Sequence, residues 1–503
     1  MRKISVILCL TVMLFCGKSS VAQTNAQRPN IIVILADDLG YGDLQSFNPQ
    51  SKIPTPNLDK LARQGLRFID AHSPSSVCTP TRYALLTGRY PWRSRLKSGV
   101  LPPLGLPLIE AGRLTLPAML KQQGYVTAIV GKWHLGWDWA TTDGKPAAIT
   151  PDGLSNVDFT KPVANGPLTR GFDYYYGVDL PNFPPYVFIE NDRTLGIPTE
   201  TIPPNNPDIN RKGPMMKDWD PVKILPAITD RAVRYVEERA KSSQPFFLYF
   251  ALTSPHYPVV PLPEFAGKSQ AGIYGDFVVQ TDAAVGAVMD ALQRAGADKN
   301  TLVIFTSDNG PEVASEVKIG AYDRIQKSQH ASMAAWRGVK RDSWEGGHRV
   351  PFIARWVGKI PAGKTNNSLI GHLDLMATIA ALTGFQLTSD AAPDSYNQLP
   401  ALLKNKTTQR DALVYHEANG HLALRQGNWV LVDSNTCGDG NKEPEWFRQA
   451  RGLHNCAGPG ALYNLKDDPA QAKNLYEAQP EKVRTLKTQL DKIRNHERSV
   501  PRQ

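Results

Sequence analysis

The stretch Thr281–Gly310, TDAAVGAVMDALQRAGADKNTLVIFTSDNG, decides the fold. Val285, Val288, Met289 and Leu292 recur at helical spacing, Gly296 stops the pattern, and a short run apolar at every position, Leu302–Phe305, leads into Asp308 and Asn309. That is an amphipathic helix feeding a strand buried on both faces. The plan recurs along the chain. NIIVILADDLGYGD (Asn30–Asp43) carries a run from Ile31 to Ala36 that stops at Asp37 and Asp38. TLPAMLKQQGYVTAIVGKWHLG (Thr115–Gly136) reads as a helix ending near Gly124 and a strand through Val130, followed by Lys132 and His134. ITDRAVRYVEERAKSSQPFFLYFALTSPHYP (Ile228–Pro258) repeats it and ends at His256. Strands apolar on both faces and alternating with helices predict an α/β fold, a largely parallel sheet covered by helices on both sides. Sites in such sheets form beyond the carboxyl ends of the strands. Asp37, Asp38, Lys132, His134, His256, Asp308 and Asn309 are therefore expected at one edge.

The rest of the chain organises around that core. Its 503 residues, 41% hydrophobic and 21% charged, describe a globular protein with room for one large and one small domain, and exclude disorder. Arg2 and Lys3 precede an apolar run from Ile4 to Cys16, and Ser20 and Ala22 stand where a signal peptidase cuts before Gln23, so residues 1–22 read as a leader and the protein as periplasmic or secreted. The run is too short to span a bilayer, and stable membrane insertion is not expected; attachment through Cys16 is the alternative. The formal net charge is +10, and losing Arg2, Lys3 and Lys18 leaves the mature chain basic, which favours anionic partners in general; nucleic acid is not expected. Between Pro146 and Pro226 lie 14 of the 40 prolines with little periodicity, so about 144–226 reads as a long loop insertion shaping a pocket. The catalytic domain is placed at 23–395. From residue 396 the pattern changes to short strands, HLALRQGNWVLVD and ALYNLKD, and a charged helix from about Pro480 to Glu497, a small α+β domain with an antiparallel sheet.

The polar strand ends specify a chemistry. Asp37, Asp38, Asp308 and Asn309 offer only oxygen ligands, which suit Ca²⁺ or Mg²⁺ rather than Zn²⁺. Arg82, Lys132, His134, His256 and Lys340 surround them with cations and donors, the makings of a pocket for a tetrahedral oxyanion. Cys78 opens the stretch CTPTRYALLTG, with Pro80 suited to a first helical turn, so that residue 78 falls at the positive end of a helix dipole. The exported chain keeps Cys78, Cys437 and Cys456. Cys437 and Cys456 lie in one Gly-rich loop, where a disulfide would contribute about 3 kcal/mol, leaving Cys78 alone. A lone thiol in an oxidising compartment is either buried or chemically changed. The spacing to Arg82 is too short for a cysteine phosphatase, and a Cys-His protease needs no acidic cluster.

These residues resemble the type I sulfatases. CTPTR matches the signature C-x-P-x-R, and ADDLGYGD, GKWHLG, SPHYP, SDNG, RGVK, EGGHRVP and LYNLKDDPAQAKNL match further blocks in the same order, covering about Asn30 to Leu475. The resemblance implies an alkaline phosphatase-like fold, conversion of Cys78 to Cα-formylglycine by a formylglycine-generating or anaerobic maturing enzyme, and a gem-diol nucleophile that attacks sulfur and then clears itself. It implies a Ca²⁺ site of Asp37, Asp38, Asp308, Asn309 and an oxygen of residue 78, with Asp308 also a candidate to activate the diol. Arg82 and Lys132 would hold the diol, His134 would move protons on it, and His256 and Lys340 would bind sulfate, His256 protonating the departing alcohol. A sulfated saccharide, glycosaminoglycan or marine polysaccharide, is the expected substrate. Trp137, Trp139, Tyr174, Tyr175, Tyr176, Phe183 and Tyr186 are candidate sugar platforms or core, and His330, Asp342, Trp344 and His421 candidate polar sugar contacts. A phosphate or phosphonate monoester hydrolase and a non-catalytic sulfated-glycan-binding protein are the alternatives.

Overall fold

The computed structural model describes residues 28–202, 211–313, 319–407, 410–437, 443–454 and 458–501. The leader expected at residues 1–22 and Cys456 lie outside the described residues. Among the described residues, no helix is long and apolar enough to cross a membrane.

The strands are β1 (Asn30–Ala36), β2 (Leu66–Phe68), β3 (Val126–Lys132), β4 (Tyr174–Val178), β5 (Ile189–Glu190), β6 (Arg193–Thr194), β7 (Phe246–Ala251), β8 (Thr301–Ser307), β9 (Phe352–Arg355) and β10 (Lys364–Asn366). They form one 10-stranded sheet in the order β10-β2-β9-β8-β1-β7-β3-β4-β5-β6. The neighbours β8, β1, β7, β3 and β4 are mutually parallel, and β9 runs antiparallel to β8 and β2. In β1 alternate residues enter opposite layers. Ile31, Val33 and Leu35 join one apolar cluster with Leu85, Leu86, Leu120 and Ile379; Ile32 and Ile34 join the other with Leu58, Ile228, Val285 and Leu292. The first layer is built by α2 (Cys78–Thr87), α3 (Leu116–Gln122), α6 (Asp374–Thr383) and α7 (Leu399–Lys404), the second by α1 (Pro56–Gln64), α4 (Ile224–Arg239) and α5 (Gly272–Arg294). This is the expected mixed, mostly parallel sheet with helices on both faces.

The Pro-rich region departs from a plain loop. Tyr174–Val178 pairs in parallel with β3 and extends the central sheet, and the two short strands β5 and β6 follow it. Tyr175 and Tyr176 are buried there, so aromatic side chains in this region build core.

Beyond the large sheet, β11 (Ala412–His416), β12 (Leu422–Gln426), β13 (Trp429–Asp433) and β14 (Ala461–Asn464) form an antiparallel meander covered by α8 (Pro480–Asn495), whose Val483, Leu486 and Leu490 are buried. The helix stops at His496, close to the expected end. Cys437 is disulfide-bonded. The small sheet bears on the segment ahead of α2: Ser75 Oγ donates to the His416 carbonyl at 2.7 Å, and the His416 N–H donates to the Pro74 carbonyl at 3.0 Å.

Candidate active site

Four parallel strands deliver the site at their carboxyl ends: β1 leads into Asp37 and Asp38, β8 into Asp308 and Asn309, β3 into Lys132 and His134, and β7 into His256. Cys78 is the first residue of α2, and Arg82 lies one turn along the same face. The helix is buried at all ten positions and ends at Gly88, in the left-handed conformation with φ +61°, whose N–H donates to the Ala84 carbonyl.

The side chains form one charge lattice. Arg82 donates to Asp308 Oδ2 from Nη2 (2.8 Å) and Nε (3.2 Å). Lys132 Nζ donates to Asp37 Oδ2 at 2.7 Å, and Lys340 Nζ to Asp38 Oδ2 at 2.7 Å. The Asp38 N–H donates to Asp308 Oδ1 at 3.2 Å, and Asn309 Nδ2 to Asp38 Oδ1 at 2.7 Å. His256 Nε2 stands 3.7 Å from Asp38 Oδ2. Every one of these side chains is buried.

A hard cation fits this arrangement. Asp37 Oδ1 and Asn309 Oδ1 are buried acceptors with no hydrogen-bond donor, Arg82 standing 3.7 Å from the former. Ligand atoms of Asp37, Asp38, Cys78 and His256 converge within 4.8 Å. Unfilled oxygen acceptors among ionised carboxylates are what a divalent ion of the calcium class coordinates. Asp308 adjoins that set: Arg82 engages its Oδ2, and its Oδ1 lies against the Asp38 N–H.

Burial and charge set the protonation states. Burial alone would raise the Asp37 carboxyl, but Lys132, His256 and Arg82 more than offset it and hold it below the ordinary range. Asp308 goes the other way, pushed up by burial and by Asp37. Burial opposes the Lys340 ammonium, yet Asp38, Cys78 and Glu312 keep it protonated far above its usual range. Burial, with Lys132 and Arg82 alongside, pushes His134 far down, so its ring is neutral. Its Nε2 donates to the Leu101 carbonyl (3.2 Å), which leaves Nδ1 a buried lone pair without a partner.

Other expectations are redrawn. Trp137, Trp139, Tyr175, Phe183 and Tyr186 are buried, and Trp137, Trp139 and Tyr175 belong to the main apolar cluster rather than to an open face. Tyr174 packs beside Tyr235. His330 is buried against Asp43 at 2.8 Å, and Trp344 is buried beneath the Arg337 guanidinium. Asp342 Oδ2 accepts the Val339 N–H at 3.0 Å and closes the turn around Lys340. His421 opens on another groove, beside Lys97, Arg93 and Arg89. Sequence reasoning misses two single residues and one buried group. Asp179, directly after β4, accepts the His134 N–H and Trp137 Nε1–H, both at 3.1 Å, and burial raises its carboxyl to about 6. An acid at the end of an apolar strand is the same signal that marks Asp37. Glu312 pairs with Lys340 (3.3 Å) and with Arg341. A second buried group, His72, Glu345 and His348, is knitted to Asp70, Arg349 and Arg425.

The family model named Sulfatase matches residues 29–385. The N-acetylgalactosamine-6-O-sulfatase of Bacteroides thetaiotaomicron is 34% identical, over 93% of this chain and 94% of that protein. Arylsulfatase A of Bos taurus is 35% identical, over 92% of this chain and 87% of its own length. A solved structure described under "Metabolism of multiple glycosaminoglycans by bacteroides thetaiotaomicron" superposes with a TM-score of 0.79 at 31% identity, covering 94% of this chain and 100% of that one.

Proposed function

Since this chain belongs to the sulfatase family, we propose that it is an exported hydrolase that releases inorganic sulfate from a sulfated carbohydrate, with residue 78 matured to formylglycine and a Ca²⁺ ion held by Asp37, Asp38, Asp308 and Asn309. The substrate we favour is a sulfated amino sugar of the glycosaminoglycan type, in keeping with the names of the relatives. One observation carries the reading: Cys78 at the start of a helix faces Lys132 and Lys340, next to oxygen acceptors that lack donors.

Mature residue 78 would supply a hydrate oxygen as nucleophile, and the bound ion would supply positive charge to the sulfate oxygens. The remaining work falls to this chain's own groups. Arg82 and Lys132, fixed on Asp308 and Asp37, keep two cations beside residue 78 without rearrangement. The helix N-terminus adds its partial positive charge. His134, neutral with an open Nδ1, takes a proton from the hydrate. Lys340 meets the sulfate. His256, whose Nδ1–H is committed to the Tyr257 carbonyl at 2.6 Å, presents Nε2 to the departing alcohol and gives it a proton from the charged ring, a state that burial opposes and that Asp37 and Asp38 favour.

The test is direct. The chain is produced with and without a maturing enzyme, and sulfate release is followed from N-acetylgalactosamine 6-sulfate, other sulfated saccharides and matched phosphate esters. We expect peptide mass spectrometry to show conversion at residue 78, sulfate ester cleavage only in the converted protein, and loss of turnover on chelation that Ca²⁺ restores. Preference for phosphate, or tight binding of sulfated sugar with no release, would reject the assignment.

A further inference from the structure

Beside the catalytic cluster, Arg341 sits in a conformation its side chain does not favour. Its φ is +83°, in the left-handed region where a residue with a Cβ is strained. The sequence nevertheless places an arginine there. Its N–H is bound to the Ser76 carbonyl at 2.9 Å, so the backbone is pinned to the segment that leads into Cys78. Asp342 next to it turns inward and closes the loop, while the Arg341 side chain stays 28% exposed, against 5% for Lys340.

Glu312 fixes the guanidinium. Its Oε1 and Oε2 accept from Arg341 Nη1 (2.6 Å) and Nη2 (2.9 Å), a two-point grip that sets the plane of the group, and Oε2 also lies 3.3 Å from Lys340 Nζ. Lys340 in turn reaches Asp38. A relay of ion pairs thus runs from the metal-type carboxylates outward to Arg341. Within it two carboxylates alternate with two cations, and Arg341 is the outermost of them, the cation nearest solvent. Two of the five guanidinium N–H donors are spent on Glu312, and the others remain on a side chain that is partly open to solvent.

We propose that Arg341 is a specificity-determining residue: it binds a second anionic group of the substrate, a carboxylate or a further sulfate beside the ester being cleaved, with Glu312 as the positioning residue. The proposal rests on the sulfatase reading and names the kind of sugar that this site prefers. A planar, partly exposed guanidinium held in a fixed plane matches a carboxylate or sulfate edge and gives little to a neutral sugar.

The experiment compares mature wild-type protein with Arg341→Gly, Arg341→Gln and Arg341→Lys on three substrates: a monosulfated monosaccharide, a disulfated one, and a monosulfated disaccharide carrying a uronate. In the wild type, the disulfated sugar or the uronate disaccharide is expected to show the higher kcat/KM, and which of them does identifies the anion. Arg341→Gly and Arg341→Gln should lose about tenfold to a hundredfold on that substrate, mostly through KM, and less than about threefold on the monosulfated sugar. Arg341→Lys should recover part of the loss. The glycine variant relieves the strained backbone, so its unfolding midpoint should equal or exceed that of the wild type, which separates lost recognition from lost folding. Equal losses on all three substrates, or no loss on any, overturn the proposal. Wild-type protein that cleaves none of them fails the sulfatase reading instead.

Discussion

Cys78 is fully buried, and burial pushes its thiol up to about 11 despite Lys132 and Lys340 nearby. At neutral pH an unmodified side chain there is a protonated, shielded thiol, a poor nucleophile in the midst of an otherwise complete anion pocket. The proposed conversion of that residue would supply what the thiol cannot. Cys78→Ala, and wild-type protein made without a maturing enzyme, should lose sulfate release by about 10³-fold or more while unfolding within about 1–2 kcal/mol of the mature protein, checked by denaturant titration. A second residue reports on acid stability. His372 donates or accepts at Thr306 Oγ1 (2.9 Å) through Nε2, its Nδ1 is a buried orphan, and burial pushes it down to about 3. Its folded value lies below the unfolded value near 6.5, so between those limits the unfolded chain binds the extra proton. The stability it supports is intact above about pH 6.5 and is lost as pH falls toward 3. His372→Gln keeps a hydrogen-bonding group but removes the titration. The slope of stability against pH from 6 to 4 should then shrink by up to about 1.4 kcal/mol per unit; an unchanged slope would contradict the assignment.

The strands β1, β3, β7 and β8 were legible because each is a nearly continuous apolar run, and because a sheet buried on both faces leaves only the strand ends to carry polar groups. Asp37, Lys132, His256 and Asp308 came together for that reason. β4 escaped notice since YYYGV sits among prolines and its tyrosines read equally well as exposed platforms; with it went Asp179. Arg341 and Glu312 were not legible at all, because a left-handed arginine and its clamp leave no periodic trace. Lys132 depends on a detail of β3. Gly131 has φ +117°, and a Cβ there would lie 1.8 Å from the Ala251 carbonyl oxygen on β7. Gly124, at the turn into the same strand, has φ +82° with nothing within 4 Å. The same substitution therefore separates strain from collision. Gly124→Ala should cost about 1 kcal/mol and leave turnover intact. Gly131→Ala should cost at least about 3 kcal/mol and depress kcat, since β3 must move away from β7 and carry Lys132 off Asp37. Equal costs for the two in denaturant titration would mean that the close approach of β3 and β7 is relaxed without effect.

Taken as a whole, the molecule joins its two largest sheets through the site. Ala84 of α2, with Tyr90 and Trp92, belongs to the same apolar cluster as Leu413, Leu424 and Leu431 of the small sheet. Arg425 of β12 reaches Asp70 (3.3 Å), just past β2, and Glu345 (3.6 Å), and Tyr415 stacks on His348 with ring centroids 3.7 Å apart. Arg410, buried on Asp374, continues the seam. Removing one partner of such a buried pair leaves the other charge uncompensated, which costs about 3–5 kcal/mol. The segment before Cys78 hangs from His416 by three main-chain and side-chain bonds. Loss of the small sheet would therefore expose apolar surface and release the start of α2 together. We expect one cooperative transition in denaturant, with tryptophan fluorescence, far-UV circular dichroism and sulfate release falling at the same midpoint. Asp374→Ala should shift all three equally to lower denaturant, by an amount matching that buried pair. An early transition that unfolds the small sheet and spares turnover would show that the site stands on the large sheet alone, since only an independent α2 could keep residue 78 in place once His416 has gone.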